Sequence, residues 1–121
     1  MTSSAHNQTL GARGESLAAA FLEERGFVIL DRNWRNRYGE LDLIALDRGA
    51  LVAVEVKTRS GRGYGSPLSA ITARKAGRLR RLLLDWAREH RTRASELRVD
   101  AIGITLGPSG APGIDHLRGI L

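Results

Sequence analysis

The stretch Gly39-Glu40-Leu41-Asp42-Leu43-Ile44-Ala45-Leu46-Asp47, followed by Ala50-Leu51-Val52-Ala53-Val54-Glu55-Val56-Lys57, decides the fold of this chain. Both segments are rich in branched apolar residues, and Asp47-Arg48-Gly49 between them is turn chemistry. Together they predict a β-hairpin with strands over Glu40 to Leu46 and Ala50 to Thr58. A two-residue turn at Arg48-Gly49, or a four-residue loop from Asp47 to Ala50, fixes one register. In it Asp42 faces Glu55, Glu40 faces Lys57, Ile44 faces Ala53 and Leu46 faces Leu51. The reverse side pairs Leu41 with Val56, Leu43 with Val54 and Ala45 with Val52, all apolar and therefore core.

Directly opposed residues have Cβ atoms roughly 5 Å apart, and like charges there are destabilising. Asp42 and Glu55 at that spacing call for a counter-charge. A divalent cation with oxygen ligands is the natural one. Lys57 lies two residues from Glu55 and points to the same face. The competing account is a satisfied salt-bridge cluster of the two carboxylates with Lys57 and Arg59. Glu15 is the candidate third carboxylate, because it borders the apolar stripe of the first helix.

That helix is expected from about Thr9 to Arg25, with Leu10, Leu17, Ala18, Phe21 and Leu22 on its apolar stripe and Gly26 ending it. Phe27 to Asp31 reads as a short strand. Arg32 to Tyr38, basic and aromatic, reads as a turn. Arg59 to Ser66 reads as an exposed Gly- and Arg-rich loop. Pro67 opens a long helix to about His90, with Thr72 as an N-cap where it restarts. Its apolar stripe is Ala76, Leu79, Leu82, Leu83 and Trp86. Leu97 to Leu106 and Ile114 to Leu121 read as closing strands. The order of helices and strands is that of an α/β domain with a mixed sheet. Residues 1–8 read as a flexible tail and 9–121 as a single domain.

The chain has 121 residues and no cysteine, which excludes a disulfide framework and thiolate metal sites. Met1 to Gln8 is polar, so no signal peptide is expected. No apolar run approaches the roughly 20 residues of a membrane helix, and a cytoplasmic location follows as the expectation. The formal net charge is +6, and it is concentrated: residues 59–98 hold 11 basic and 3 acidic side chains. Such a block attracts polyanions, of which nucleic acid is the commonest in cells. All the basic residues except Lys57 and Lys75 are arginines, which suit bidentate phosphate contacts. A GC-rich genome would explain arginine over lysine, but not the clustering.

Arg59 and Arg62 are candidates for backbone contacts to nucleic acid. Lys75, near the start of the long helix, reads either as a phosphate contact or as a solvated lysine. Tyr64 reads as a base-stacking or a locally packed aromatic. Trp34 and Trp86 are expected in the core or an interface. His116 is expected to be a satisfied strand histidine, and Asp100 a salt-bridge partner of a nearby arginine.

Asp42 followed by Glu55-Val56-Lys57 on a hairpin resembles the signature of the PD-(D/E)xK nuclease superfamily. The longer pattern resembles the bacterial YraN-like family within it. The matching pieces are Gly14-Glu15 with Ala18, Leu30 to Arg35, Gly39 to Ala45, Val54 to Arg59, Ile71 with Lys75, and His116. Leu41 stands where the superfamily name has proline. The resemblance implies a restriction-endonuclease-like core, similar to archaeal Holliday junction resolvases. It implies Mg²⁺ or Mn²⁺ held by Asp42, Glu55 and the Val56 carbonyl. Glu15, Asp42, Glu55 and Lys57 would be the catalytic set, with Lys57 positioning or activating the attacking water. Arg59, Arg62, Lys75 and Arg78 would contact DNA, and a homodimer is implied. The function expected is hydrolysis of phosphodiesters in branched or junction DNA. The alternatives are a non-catalytic nucleic-acid-binding protein that keeps the fold, and a basic scaffold for an acidic protein.

Overall fold

The computed structural model describes residues 9–61, 67–108 and 110–120. The elements in chain order are helix α1 (Leu10–Glu24), strands β1 (Val28–Asn36), β2 (Gly39–Asp47) and β3 (Ala50–Ser60), a 3₁₀ turn (Pro67–Ala70), helix α2 (Ala73–Glu89), and strands β4 (Glu96–Leu106) and β5 (Gly113–Leu117). The five strands form one mixed sheet in the order β1-β2-β3-β4-β5. Only the β3–β4 pair is parallel. The α/β class and mixed sheet expected from the sequence are present, and the arrangement is compatible with a restriction-endonuclease-like core.

β3 is central and covered on both faces, so its residues are buried from Ala50 through Val56. On one face Val52, Val54 and Val56 pack with Ala18, Ala19 and Leu22 of α1 and with Ile102 and Ile104 of β4. On the other, Leu51 and Ala53 pack with Leu79, Leu82, Leu83 and Trp86 of α2. Each helix begins at a threonine cap. Thr9 Oγ1 accepts the Ala12 N–H at 3.0 Å, and Thr72 Oγ1 accepts the Lys75 N–H at 3.2 Å. The β2–β3 turn has positive φ at both Arg48 (51°) and Gly49 (90°), the two-residue geometry that matches strand twist.

Several expectations need correction. β1 extends through Asn36, so Arg32 to Asn36 is strand rather than turn. It lies at the sheet edge, where charged side chains face water and its alternation is weak. β3 runs to Ser60, which places Arg59 on a strand and not on the Gly-rich loop. Leu10 is 41% exposed, so the buried stripe of α1 begins at Gly14. β5 ends at Leu117, short of the expected Leu121. Arg62, Tyr64 and the tail 1–8 lie outside the described residues.

Away from the hairpin's charged end, a second charge cluster ties the C-terminal segment to the sheet. Asp47 accepts from Arg98 Nη2 at 2.9 Å and from Arg118 Nη2 at 2.6 Å. The fully buried Asp100 accepts from Arg98 Nε and the Gly119 N–H, each at 2.9 Å, and lies 2.9 Å from His116 Nε2. Asp100 and His116 are therefore the satisfied pair expected of them. Burial pushes the Asp100 carboxyl up, but the bonds from His116, Arg98 and Gly119 outweigh it and hold it below its ordinary range.

At Gly14 helix α1 lies against Thr58 of β3 with no room for a side chain. A Cβ placed there would lie 1.7 Å from Thr58 Oγ1 and 2.8 Å from Thr58 Cβ. Rotating the threonine cannot relieve the second contact. Gly14→Ala should therefore destabilise the fold by about 1–2 kcal/mol, because overpacking exceeds the roughly 1 kcal/mol gained in helix propensity. Urea denaturation checks this; a stabilised variant would contradict the close approach.

Candidate functional site

The predicted hairpin register is present, but only near its turn. β2 and β3 pair from Asp47↔Ala50 to Leu43↔Val54. The expected pairs Asp42–Glu55 and Glu40–Lys57 do not form, because the strands part there. β2 continues with β1 through Trp34↔Leu41, Arg35↔Glu40 and Asn36↔Gly39. β3 continues with β4 through Glu55↔Ala101 to Ser60↔Leu106. The sheet opens as a fork with Asp42 at its apex. Asp42 Oδ2 accepts the Val56 N–H at 2.9 Å, so a side chain satisfies a backbone donor beyond the last strand pair.

A crease in β1 and β2 sets this geometry. In a regular strand, residues two apart share a face. Yet Leu43 packs in the cluster under α1, while Leu41 packs in the cluster under α2. On β1, Asp31 and Trp34 are three apart but both reach α2. Trp86 Nε1 donates to Asp31 Oδ2 at 2.9 Å, and Trp34 Nε1 donates to Glu89 Oε2 at 3.1 Å. The register between the strands is the same on both sides, at Arg32↔Leu43 and Trp34↔Leu41. The break therefore falls at Asn33 and Asp42, which stand across from each other. Asn33 has φ 52°, the left-handed region that asparagine tolerates better than most residues. Leu41 thus leaves the apolar side the sequence assigned to it.

A cleft of about 310 Å³ opens at the fork, lined by Asp42, Glu55, Val56, Lys57, Lys75 and Arg78 among others. Glu55 is 7% exposed. Its Oε2 lies 2.7 Å from Lys75 Nζ and 3.6 Å from Lys57 Nζ. Lys75 is thus not a freely solvated lysine: its side chain is 31% exposed and neutralises Glu55. Its hydrogen bond to Glu55 leads the causes that raise its pKa, against the opposing effect of burial. Arg78 is exposed on the cleft wall. Arg59 lies on β3 outside the cleft lining.

Glu15 arrives from α1, on the opposite side of the sheet. It does not line the main cleft, yet its charge is felt at Asp42. Burial raises its pKa, a hydrogen bond with Asn33 opposes this, and Glu40 and Glu55 raise it further. The structure therefore gathers Glu15, Asp42, Glu55 and Lys57 around one fork. Glu40 lines the cleft on the charged side where the register placed it. Asn33 and Tyr38 join them unanticipated, because both lay in a segment that reads as a turn.

Asp42 is the most perturbed acid. Burial, then the Glu55 carboxylate, push its pKa up to about 7, and the Val56 N–H only partly offsets this. Two acids that resist joint ionisation fit a hard divalent cation. Asp42, Glu55 and the Val56 carbonyl would supply oxygen donors, and Mg²⁺ commonly takes only one or two carboxylates beside water and phosphate. Among the described residues no group of three or more His, Cys, Asp or Glu is placed to hold a metal ion.

The shift has a stability consequence. Asp42 titrates at 3.8 in an unperturbed carboxyl and at about 7 here, so without metal the protein loses stability as pH rises across that window. Asp42→Asn keeps an acceptor for the Val56 N–H and presents an amide donor to Glu55. The variant should be more stable than the parent at pH 8 in EDTA by roughly 1–3 kcal/mol, with the gain shrinking toward pH 4. Chemical denaturation at the two pH values measures it. Equal or lower stability at pH 8 would contradict the carboxylate repulsion.

The profile of the uncharacterised protein family UPF0102 matches residues 14–104. A UPF0102 protein of Rhodococcus opacus is 52% identical over 114 residues, covering 94% of this chain and 97% of the relative. One from Leifsonia xyli is 51% identical over 117 residues, covering 97% and 99%. One from a Nocardioides species is 46% identical over 123 residues, covering 99% of each.

Proposed function

The chain belongs to family UPF0102, and from that premise and the fork we propose a metal-dependent endonuclease that hydrolyses phosphodiesters in branched or junction DNA. The observation that carries this reading is the pairing of half-buried Asp42 with buried Glu55, with Lys57 and Lys75 on the same cleft and Arg78 at its wall. The order of Asp42, Glu55 and Lys57 on a splayed hairpin resembles the PD-(D/E)xK superfamily and supports the same chemistry.

Asp42, Glu55 and the Val56 carbonyl would hold Mg²⁺ or Mn²⁺. When bound, the ion would polarise the phosphate and lower the pKa of water. The chain's own residues do the rest. Lys57 orients the attacking water and faces the charge that develops on phosphate oxygens. Lys75, held on Glu55 at 2.7 Å, is the second cation within reach of the same phosphate. Glu15 is an acceptor for water on the α1 side of the fork. Arg74, Arg78, Arg80, Arg81 and Arg88 are exposed on α2 and supply backbone contacts that position DNA without reading its sequence. Binding should weaken steeply with salt.

A second reading, binding without cleavage, is favoured by one observation. Lys75 already gives Glu55 an internal counter-charge, so the acids do not strictly require a metal. One experiment separates the two. The protein is incubated with branched, flapped and single-stranded DNA, and with RNA, in Mn²⁺, Mg²⁺ or EDTA. The nuclease reading expects metal-dependent cleavage of branched DNA, reduced on the order of 100-fold or more in Asp42→Ala and Lys57→Ala. Cleavage that survives EDTA or those substitutions would sink the assignment. Binding without cleavage in every metal would establish the second reading.

A further inference from the structure

A second cleft, of about 330 Å³, adjoins the first and is lined by Tyr38, Arg78, Arg81, Leu82 and Asp85. Tyr38, Arg78 and Leu82 wall both clefts. We propose that this second cleft is a nucleobase subsite, in which Tyr38 stacks an unpaired base of the strand whose phosphate occupies the carboxylate fork. The inference rests on the nucleic-acid reading above and adds to it a reason for preferring unstacked DNA.

Tyr38 sits in the β1–β2 turn and is 65% exposed, the most exposed of the large hydrophobic side chains among the described residues. It is nonetheless held in place. Its N–H donates to Asn36 Oδ1 at 2.9 Å. Arg37 places its guanidinium 4.9 Å from the ring centroid, and its Nη2 donates to Tyr38 Oη at 2.7 Å. An exposed aromatic with a braced ring is a stacking platform whose ordering cost has been met before the ligand arrives.

The remaining walls give a base polar and apolar partners beside the arginines that hold the backbone. Arg78 and Arg81 offer planar guanidinium groups, and Leu82 offers an apolar contact. Asp85 is half-buried, with Asn36 Nδ2 3.4 Å from its Oδ2 and Arg81 Nε 3.8 Å from its Oδ1. A carboxylate repels a phosphate, but accepts readily from the exocyclic amine of a base. The lysines of the first cleft have the opposite character. A strand laid across the shared Tyr38–Arg78 wall would put its phosphate on the carboxylate and lysine side and an adjacent base on the aromatic side. In a paired duplex the faces of that base are already stacked, so the subsite is filled only where the duplex is interrupted or single-stranded.

The test uses the full chain in EDTA, so that no strand is cut. Its probes are a single-stranded oligonucleotide, the same strand carrying one 2-aminopurine, and the fully paired duplex. Wild type should quench the 2-aminopurine on binding, and Tyr38→Phe should preserve both the quench and the affinity. Tyr38→Ala should abolish the quench and weaken single-strand binding roughly 5- to 100-fold, the worth of one stacked base, while duplex affinity stays nearly unchanged. The subsite is overturned if Tyr38→Ala binds the single strand as tightly as wild type. It is also overturned if the loss is the same on duplex, or if Tyr38→Phe behaves like Tyr38→Ala. A wild-type protein that binds none of the probes would overturn the nucleic-acid reading along with the subsite. Binding by wild type with no Tyr38 effect would overturn the subsite alone.

Discussion

The bond from the Val56 N–H to Asp42 Oδ2 marks the point on which the rest of the site depends. It stands where strand pairing between β2 and β3 stops. Below it the two strands are an ordinary hairpin; above it each follows its other neighbour, β1 or β4. A fork in a sheet exposes backbone groups that must find partners. Asp42 supplies one acceptor, at the cost of bringing its carboxyl next to Glu55. Burial of that carboxyl, and then the Glu55 charge, raise the pKa of Asp42, and the Val56 N–H offsets only part of the rise. Local conflicts of this kind concentrate at functional sites, where stability is given up for chemistry.

The supporting structure is arranged to hold the fork open. Gly14 lets α1 lie against Thr58, which brings Glu15 to the far side of the opening. The crease at Asn33 and Asp42 turns Leu41 under α2 and frees Asp42 to point toward β3. At the turn end of the hairpin Asp47 is clamped by Arg98 and Arg118, and on β4 Asp100 is clamped by Arg98. One end of the sheet has satisfied its buried charges; the other keeps a mismatch that a cation would resolve.

Much of this was legible in the sequence, for identifiable reasons. The hairpin register followed from Arg48-Gly49 and the apolar alternation, and it holds wherever the strands are paired. The apolar stripe placed the first helix from about Thr9, and Thr72 was legible as the cap where the long helix restarts. That Asp42, Glu55 and Lys57 share one cleft also followed from the hairpin. The limits of pairing could not be read, because the crease at Asn33 and Asp42 breaks the alternation on which the register was counted. β1 was misjudged beyond Asp31 because an edge strand with a crease has neither a clean period nor an apolar run. The pairing of Lys75 with Glu55 could not be read, because the two lie on distant elements. Tyr38 was absorbed into a turn, since sequence does not disclose that a turn aromatic overlooks the site.

The central claim is that Asp42 and Glu55 form a proton-competing site for one divalent cation. Calorimetric titration with Mn²⁺ at pH 6, in two buffers of different ionisation enthalpy, tests it directly. With Asp42 titrating near 7, the account predicts saturable binding with release of nearly one proton per ion, and loss of both in Asp42→Asn. Absence of binding, or binding that releases no proton and survives Asp42→Asn, would contradict it.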